Sequence, residues 1–262
     1  MNNKNLIIIL IIILSVFVGG LTAGMILLMN NKLDFNFMMN FNDSDTKLID
    51  TVTAENNTIN SIKINVYSTD IQIKESNSDI KVEYYSNTEK NTKIVKNDNS
   101  IILDESDNDN SCIGFCNIKR KIILYLPTDY TEYLEIKTVS GDIISKVNIL
   151  NETNIKTTSG DVLMLDANNI SIKTTSGDIG IGKVYEKILV NTTSGDIAIK
   201  ELDFKENSTI ETISGDVSIN NNETDCYVET STVSGDTYIK NSNRKSDLVL
   251  KIKTTSGDIL VR

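Results

Sequence analysis

The sequence predicts an all-β fold: a single-stranded parallel β-solenoid of about ten short coils, preceded by one N-terminal transmembrane helix. Three observations predict the solenoid. First, Ser-Gly-Asp recurs seven times, centred on Gly141, Gly160, Gly177, Gly195, Gly215, Gly235 and Gly257, at glycine-to-glycine steps of 19, 17, 18, 20, 20 and 22 residues. A fixed turn returning at about twenty-residue intervals is the mark of stacked repeats. Second, residues alternate around each turn: Ile170 and Ile172 with Ser171 and Lys173 before it, Ile179 and Ile181 around Gly180 after it. Period-two alternation rich in β-branched residues makes a half-buried strand. Third, of the ten glycines outside the apolar N-terminus, seven occupy this turn.

The turn residues follow from backbone physics. Glycine takes a positive φ without the penalty of a Cβ atom, on the order of 1–2 kcal/mol. Serine before it and aspartate after it hydrogen-bond nearby backbone amides. One unit cannot bury its own isoleucines. Coils stacked strand on strand, about 4.8 Å apart, bury them in one continuous core. Each buried isoleucine then contributes roughly 1.5–3 kcal/mol. Parallel crossovers default to a right-handed path.

In chain order, residues 1–5 form a short cytoplasmic end. Leu6–Met29 is a run of 24 uncharged residues, which as a helix spans about 36 Å and covers a ~30 Å hydrocarbon core. Cleavage after Leu21-Thr22-Ala23 is the competing reading, but the apolar run continues past Ala23, which suits a retained anchor. A cytoplasmic N-terminus puts the rest of the chain outside, giving a single-pass cell-membrane protein with an extracytoplasmic C-terminal domain. Residues 30–57 read as a polar stalk, and residues 58–262 as the solenoid. Within it, 58–126 read as irregular N-terminal coils, with Ser68-Thr69-Asp70-Ile71 and Asn77-Ser78-Asp79-Ile80 as degenerate turns. Residues 127–262 read as regular Ser-Gly-Asp coils. The last coil, ending Asp258-Ile259-Leu260-Val261-Arg262, has no capping element in the sequence. It is expected to dock onto a second copy or a partner protein through unpaired strand groups.

Cys112 and Cys116 flank Ile113-Gly114-Phe115 in a polar excursion. Outside the cell they could close a loop-stapling disulfide or stay free. As a metal site the pair is incomplete. Cys226 stands alone beside Tyr227 and Val228 and reads as a core residue.

Composition narrows function more than it defines it. With no histidine, Ser-His-Asp, Cys-His and histidine-ligated metal mechanisms are excluded. Paired carboxylates remain a route to glycosidase chemistry. A carboxylate repeated at every turn is instead a structural device, so no enzyme activity and no cofactor are expected. One aspartate per coil is also sparse for calcium, because calcium β-rolls carry several per turn. Sugar-stacking platforms are weakly supported: tryptophan is absent, and Tyr185, Tyr227 and Tyr238 share no register. Net charge is −10. Lys4 is the only charged residue before Asn30, so the outer part is one unit more negative and repels nucleic acid. Cationic peptides, cationic protein patches and cation-bridged wall polymers are easier partners.

The repeated Thr-x-Ser-Gly-Asp coils, preceded by Ile123-Leu124-Tyr125-Leu126-Pro127, resemble the bacterial putative-adhesin family, also described as the toastrack β-repeat domain of unknown function. The resemblance covers roughly Ile59 to Arg262. An anchor followed directly by such a domain is also similar in layout to the G proteins of Lia envelope-stress operons in Gram-positive bacteria. The resemblance implies an extracytoplasmic β-solenoid with a role in adhesion or envelope-stress signalling, and supplies no catalytic or binding residues. Two functions follow as expectations. One is a membrane-anchored, non-enzymatic scaffold binding envelope or membrane proteins. The alternative is a surface adhesin binding a wall polymer or external ligand.

Overall fold

A computed structural model of the chain describes residues 45–88, 93–105, 118–221 and 224–262. The anchor (6–29), the start of the stalk and the Cys112–Cys116 loop lie outside the described residues. Among those described, no helix is long and apolar enough to cross a membrane.

The N-terminal part contributes β1 (Lys47–Glu55), β2 (Ser61–Asn65), β3 (Asp70–Ser76), β4 (Asp79–Ser86), β5 (Ile94–Lys96), β6 (Ser100–Asp104) and β7 (Arg120–Pro127). The middle contributes β8 (Tyr133–Lys137), β9 (Ile143–Lys156), β10 (Val162–Lys173), β11 (Ile179–Asn191), β12 (Ile197–Leu202) and β13 (Ser208–Glu211). The chain finishes with β14 (Val217–Ile219), β15 (Tyr227–Ser231), β16 (Thr237–Ile239), β17 (Val249–Lys253) and β18 (Ile259–Val261). The fold is all-β and solenoid-like, with strands pairing in parallel from coil to coil and one Ser-Gly-Asp turn at the same corner of each regular coil.

Register carries the core. After the turn, Ile71, Ile143, Val162, Ile179, Ile197, Val217 and Ile259 align on successive strands. Before the turn, Ile64, Ile136, Ile155, Ile172, Val190, Ile210 and Ile252 do the same. All of these side chains are buried, so the period-two pattern of the sequence becomes two facing apolar columns.

Stacking order departs from sequence order at both ends. β2 lies between β6 and β8, and β3 between β7 and β9. At the other end β17 lies between β13 and β15, and β18 between β14 and β16. The last coil in sequence is therefore an inner layer. This corrects the expectation that it forms the open end; that place belongs to the coil of β15 and β16. The residues explain the order. The β17–β18 coil places Ile252 and Ile259 in the core columns, whereas the β15–β16 coil places Thr230 and Thr237 opposite them. The more polar coil takes the outside position, where only one side is covered.

The other end is not purely parallel. β4 pairs antiparallel with β7 and with β1, and β5 antiparallel with β6. Residues 47–55, expected in the stalk, are thus a strand of the domain. Ile94 N–H donates to Asp50 Oδ2 at 2.8 Å, tying β5 to β1. Of the two degenerate turns, Ser68–Ile71 joins the turn column, whereas Asp79–Ile80 opens the antiparallel β4.

The glycines explain why the column closes. Gly177, Gly195, Gly215, Gly235 and Gly257 have positive φ, 132° at Gly195. Gly141 and Gly160 do not, so positive φ is not the requirement common to all seven. That requirement is close approach: a Cβ on Gly195 would lie 2.2 Å from the Gly177 carbonyl oxygen, and one on Gly160 2.0 Å from that of Gly141. Replacing Gly195 by valine is expected to destabilise the domain by about 4 kcal/mol or more, against about 0.5 kcal/mol or less for Lys200→Ala. Thermal denaturation compares them, and equal melting temperatures would contradict the close approach.

Candidate functional site

Each regular coil presents its Thr-x-Ser-Gly-Asp turn at one corner, so the turns form a ridge. The first threonine points inward: Thr138, Thr157, Thr174, Thr192, Thr212 and Thr254 are buried. Thr138 Oγ1 accepts from Gly141 N–H at 3.1 Å, and Thr157 Oγ1 from Gly160 N–H at 3.0 Å. The next two positions face solvent. Serines of adjacent coils bridge as short parallel pairs, Ser214 to Ser256 and Ser234 to Ser256 among them.

The aspartates form a hydrogen-bond ladder. The backbone N–H of Asp142 donates to Asp70 Oδ1 at 3.1 Å, Asp161 to Asp142 at 3.0 Å, Asp178 to Asp161 at 2.9 Å and Asp196 to Asp178 at 2.9 Å. The ladder continues from Asp216 to Asp196 and Asp258 to Asp216, both at 2.8 Å, and ends with Asp236 to Asp258 at 2.7 Å. Its sequence of partners retraces the altered coil order. Every carboxylate of the ladder except that of Asp236, its last rung, thus accepts from a neighbouring coil, the structural role read from the aspartate's repetition.

The ladder stacks like charges. Burial raises the carboxyl pKa of Asp70, Asp161 and Asp196; the accepted N–H pulls the other way, and neighbouring carboxylates add to the rise. With folded values above the unfolded one, the folded state holds these protons more tightly. The column's penalty is therefore present at neutral pH and relieved as pH falls through the raised values.

The far end of the ridge has a different cap, which sequence reasoning missed. Glu105 is fully buried, as is Arg120 nearly so. Thr69 Oγ1 and Tyr84 Oη donate to Glu105 Oε1 at 3.0 and 2.8 Å, and Tyr67 N–H donates to Oε2 at 3.1 Å. Arg120 Nη1 lies 3.7 Å from Oε2. Glu105 follows β6 and Arg120 opens β7, the strands that pair with β2 and β3 on either side of the Ser68–Ile71 turn. A single glutamate before a polar excursion carries no periodic signal, which is why it went unnoticed. Cys226 is buried, as expected of a core residue, with burial raising its thiol pKa.

At the opposite end, β15 and β16 each pair with a strand on one side only. The following loop covers part of this edge: Val228 N–H donates to Ser242 Oγ at 2.9 Å, and Asn243 N–H to the Cys226 carbonyl at 2.8 Å. Among the described residues no strand covers the outer edge of Thr237–Ile239. Beside them Val233 is 82% and Tyr238 58% exposed, the two most exposed large apolar side chains among the described residues. This edge and its apolar neighbours are the candidate site.

Two predictions follow from the ridge. Asp161→Asn combined with Asp196→Asn keeps an oxygen acceptor at each rung and removes repulsion worth about 1 kcal/mol per pair in water. In urea unfolding the double variant is expected to be at least as stable as the native protein at neutral pH. Its advantage should shrink as pH approaches the ordinary carboxyl range, about 4; a less stable variant at neutral pH would contradict the ladder's electrostatics. Glu105→Gln removes the buried carboxylate charge that faces Arg120, and the same measurement should show a loss of about 3 kcal/mol or more.

A model of the Toastrack DUF4097 family matches residues 59–262. No curated protein matches the chain. Among solved structures, a putative adhesin of Bacteroides fragilis is 16% identical, with 82% of this chain and 97% of that chain covered and a TM-score of 0.47. A putative lipid binding protein of Parabacteroides distasonis is also 16% identical, with 84% and 98% covered and a TM-score of 0.46. A putative cell adhesion protein of Clostridium sporogenes is 11% identical, with 82% and 97% covered and a TM-score of 0.37. The matched residues run from just before β2 through β18, and the chain belongs to the Toastrack DUF4097 family.

Proposed function

We propose that this protein is a non-enzymatic scaffold held at the cell membrane by residues 6–29, with its β-domain outside, and that it docks envelope or membrane proteins, in keeping with a role in envelope-stress signalling. The observation that carries this reading is the end coil. Along a strand, alternate residues direct their N–H and C=O groups to the same edge. Asp236 N–H and C=O both bond within the Asp258 coil, so Thr237 and Ile239 direct theirs to the uncovered edge. Backbone groups of this kind are satisfied by an added extended segment, and exposed Val233 and Tyr238 give it apolar contact. Exposed Glu229, Asp236 and Lys240 give the edge both signs of charge, so the backbone and the apolar pair, rather than net charge, select the occupant. The occupant is therefore an extended segment of a partner protein.

Site-specific photocrosslinking on intact cells tests this. A crosslinker at Tyr238 is expected to trap a discrete partner, while one at Lys146, on another face, traps none. Thr237→Pro, which removes the edge N–H, should abolish the Tyr238 product without lowering the amount of folded protein. The same product with and without proline would overturn strand addition.

A further inference from the structure

The outward face of the strands that precede the turns carries a second feature, independent of the end coil. Lys137, Lys156 and Lys173 occupy equivalent positions on adjacent strands, which spaces them about 4.8 Å apart. Lys137 is paired with Glu135 at 2.7 Å. Lys156 and Lys173 are exposed, and neither forms an ion pair among the described residues. In a chain with 36 acidic residues, parallel register has thus stacked ammonium groups next to one another, a local positive rib within a negative molecule.

Alongside the rib runs a groove of about 270 Å³, lined by Glu152, Asn154, Asn169, Ser171, Leu189 and the Lys187–Glu206 ion pair (3.0 Å) among others, so its free positive charge comes from the rib. Asn154 and Ser171 stand two residues before Lys156 and Lys173 and so share their face, about 6.7 Å away. Asn169 Oδ1 is shut from solvent without a hydrogen-bond partner, an acceptor that gains by meeting a donor. Leu189, 39% exposed, offers an apolar patch among amides and a hydroxyl. Hydroxyl-matching groups, a small apolar surface and a flanking row of cations together fit a sugar or polyol polymer that bears regularly spaced anions.

We propose that this groove and the Lys156–Lys173 rib bind an anionic glycan or polyol polymer, bearing phosphate or carboxylate groups. Titration of the full chain with poly(glycerol phosphate), polygalacturonate and neutral dextran tests it. At least one anionic polymer is expected to bind, with affinity falling as salt rises, and dextran is not. Lys156→Gln combined with Lys173→Gln should weaken binding at least tenfold with an unchanged melting temperature, and Asn169→Ala should weaken it at constant salt dependence. Whichever polymer binds identifies the anion. Failure of both anionic polymers to bind, or equal binding by the lysine variant, would overturn the proposal. Neither substitution touches the end coil, so that result leaves the docking reading standing.

Discussion

The structure depends on how closely successive turns approach one another. With the Gly177 carbonyl oxygen where a Gly195 Cβ would stand, only glycine lets the coils come to strand spacing at that corner. Once they do, the aspartate of one coil accepts the N–H of the next, and the serines bridge. Those contacts fix the register, and register turns scattered isoleucines into continuous buried columns. A slip of one residue would point every core side chain outward. The turn and the core are one device.

The same ladder concentrates negative charge along an edge. Raised carboxyl pKa values at Asp70, Asp161 and Asp196 show that hydrogen bonds to backbone do not fully offset burial and repulsion. The ends are handled differently. Glu105, Arg120, Tyr84 and Thr69 close one end with a buried, mutually bonded set. At the other, threonines replace isoleucines and a loop covers only part of the edge. That asymmetry leaves one end closed and the other with an uncovered strand edge.

Much of this was legible in the sequence. Repeat spacing gave the stacking, alternation gave the strands, and repetition of the aspartate marked it as structural. Coil order is only faintly written in the sequence: Thr230 and Thr237 stand where neighbouring coils carry isoleucine, a pattern suited to an outermost layer. Chain order and spatial order differ at both ends because long-range pairing decides which coils are neighbours. β1 escaped notice because Lys47–Glu55 is largely exposed and pairs only with the antiparallel β4. Glu105 escaped because a buried ion pair depends on tertiary partners that no local pattern announces. The lysine rib likewise emerges only when Lys137, Lys156 and Lys173, far apart in sequence, fall into register.

Disulfide trapping of the turn column gives the most direct test, in a chain with its native cysteines replaced by alanine. Ser214 and Ser256, and Ser234 and Ser256, are bridged neighbours, about 4.8 Å apart at strand spacing. Ser214 and Ser234 are then two layers apart, beyond the ~7 Å limit for a disulfide. Cysteine pairs at 214/256 and 234/256 should oxidise readily, and a pair at 214/234 should not. Efficient closure of 214/234 would show coils stacking in sequence order and contradict the ladder that runs from Asp216 through Asp258 to Asp236.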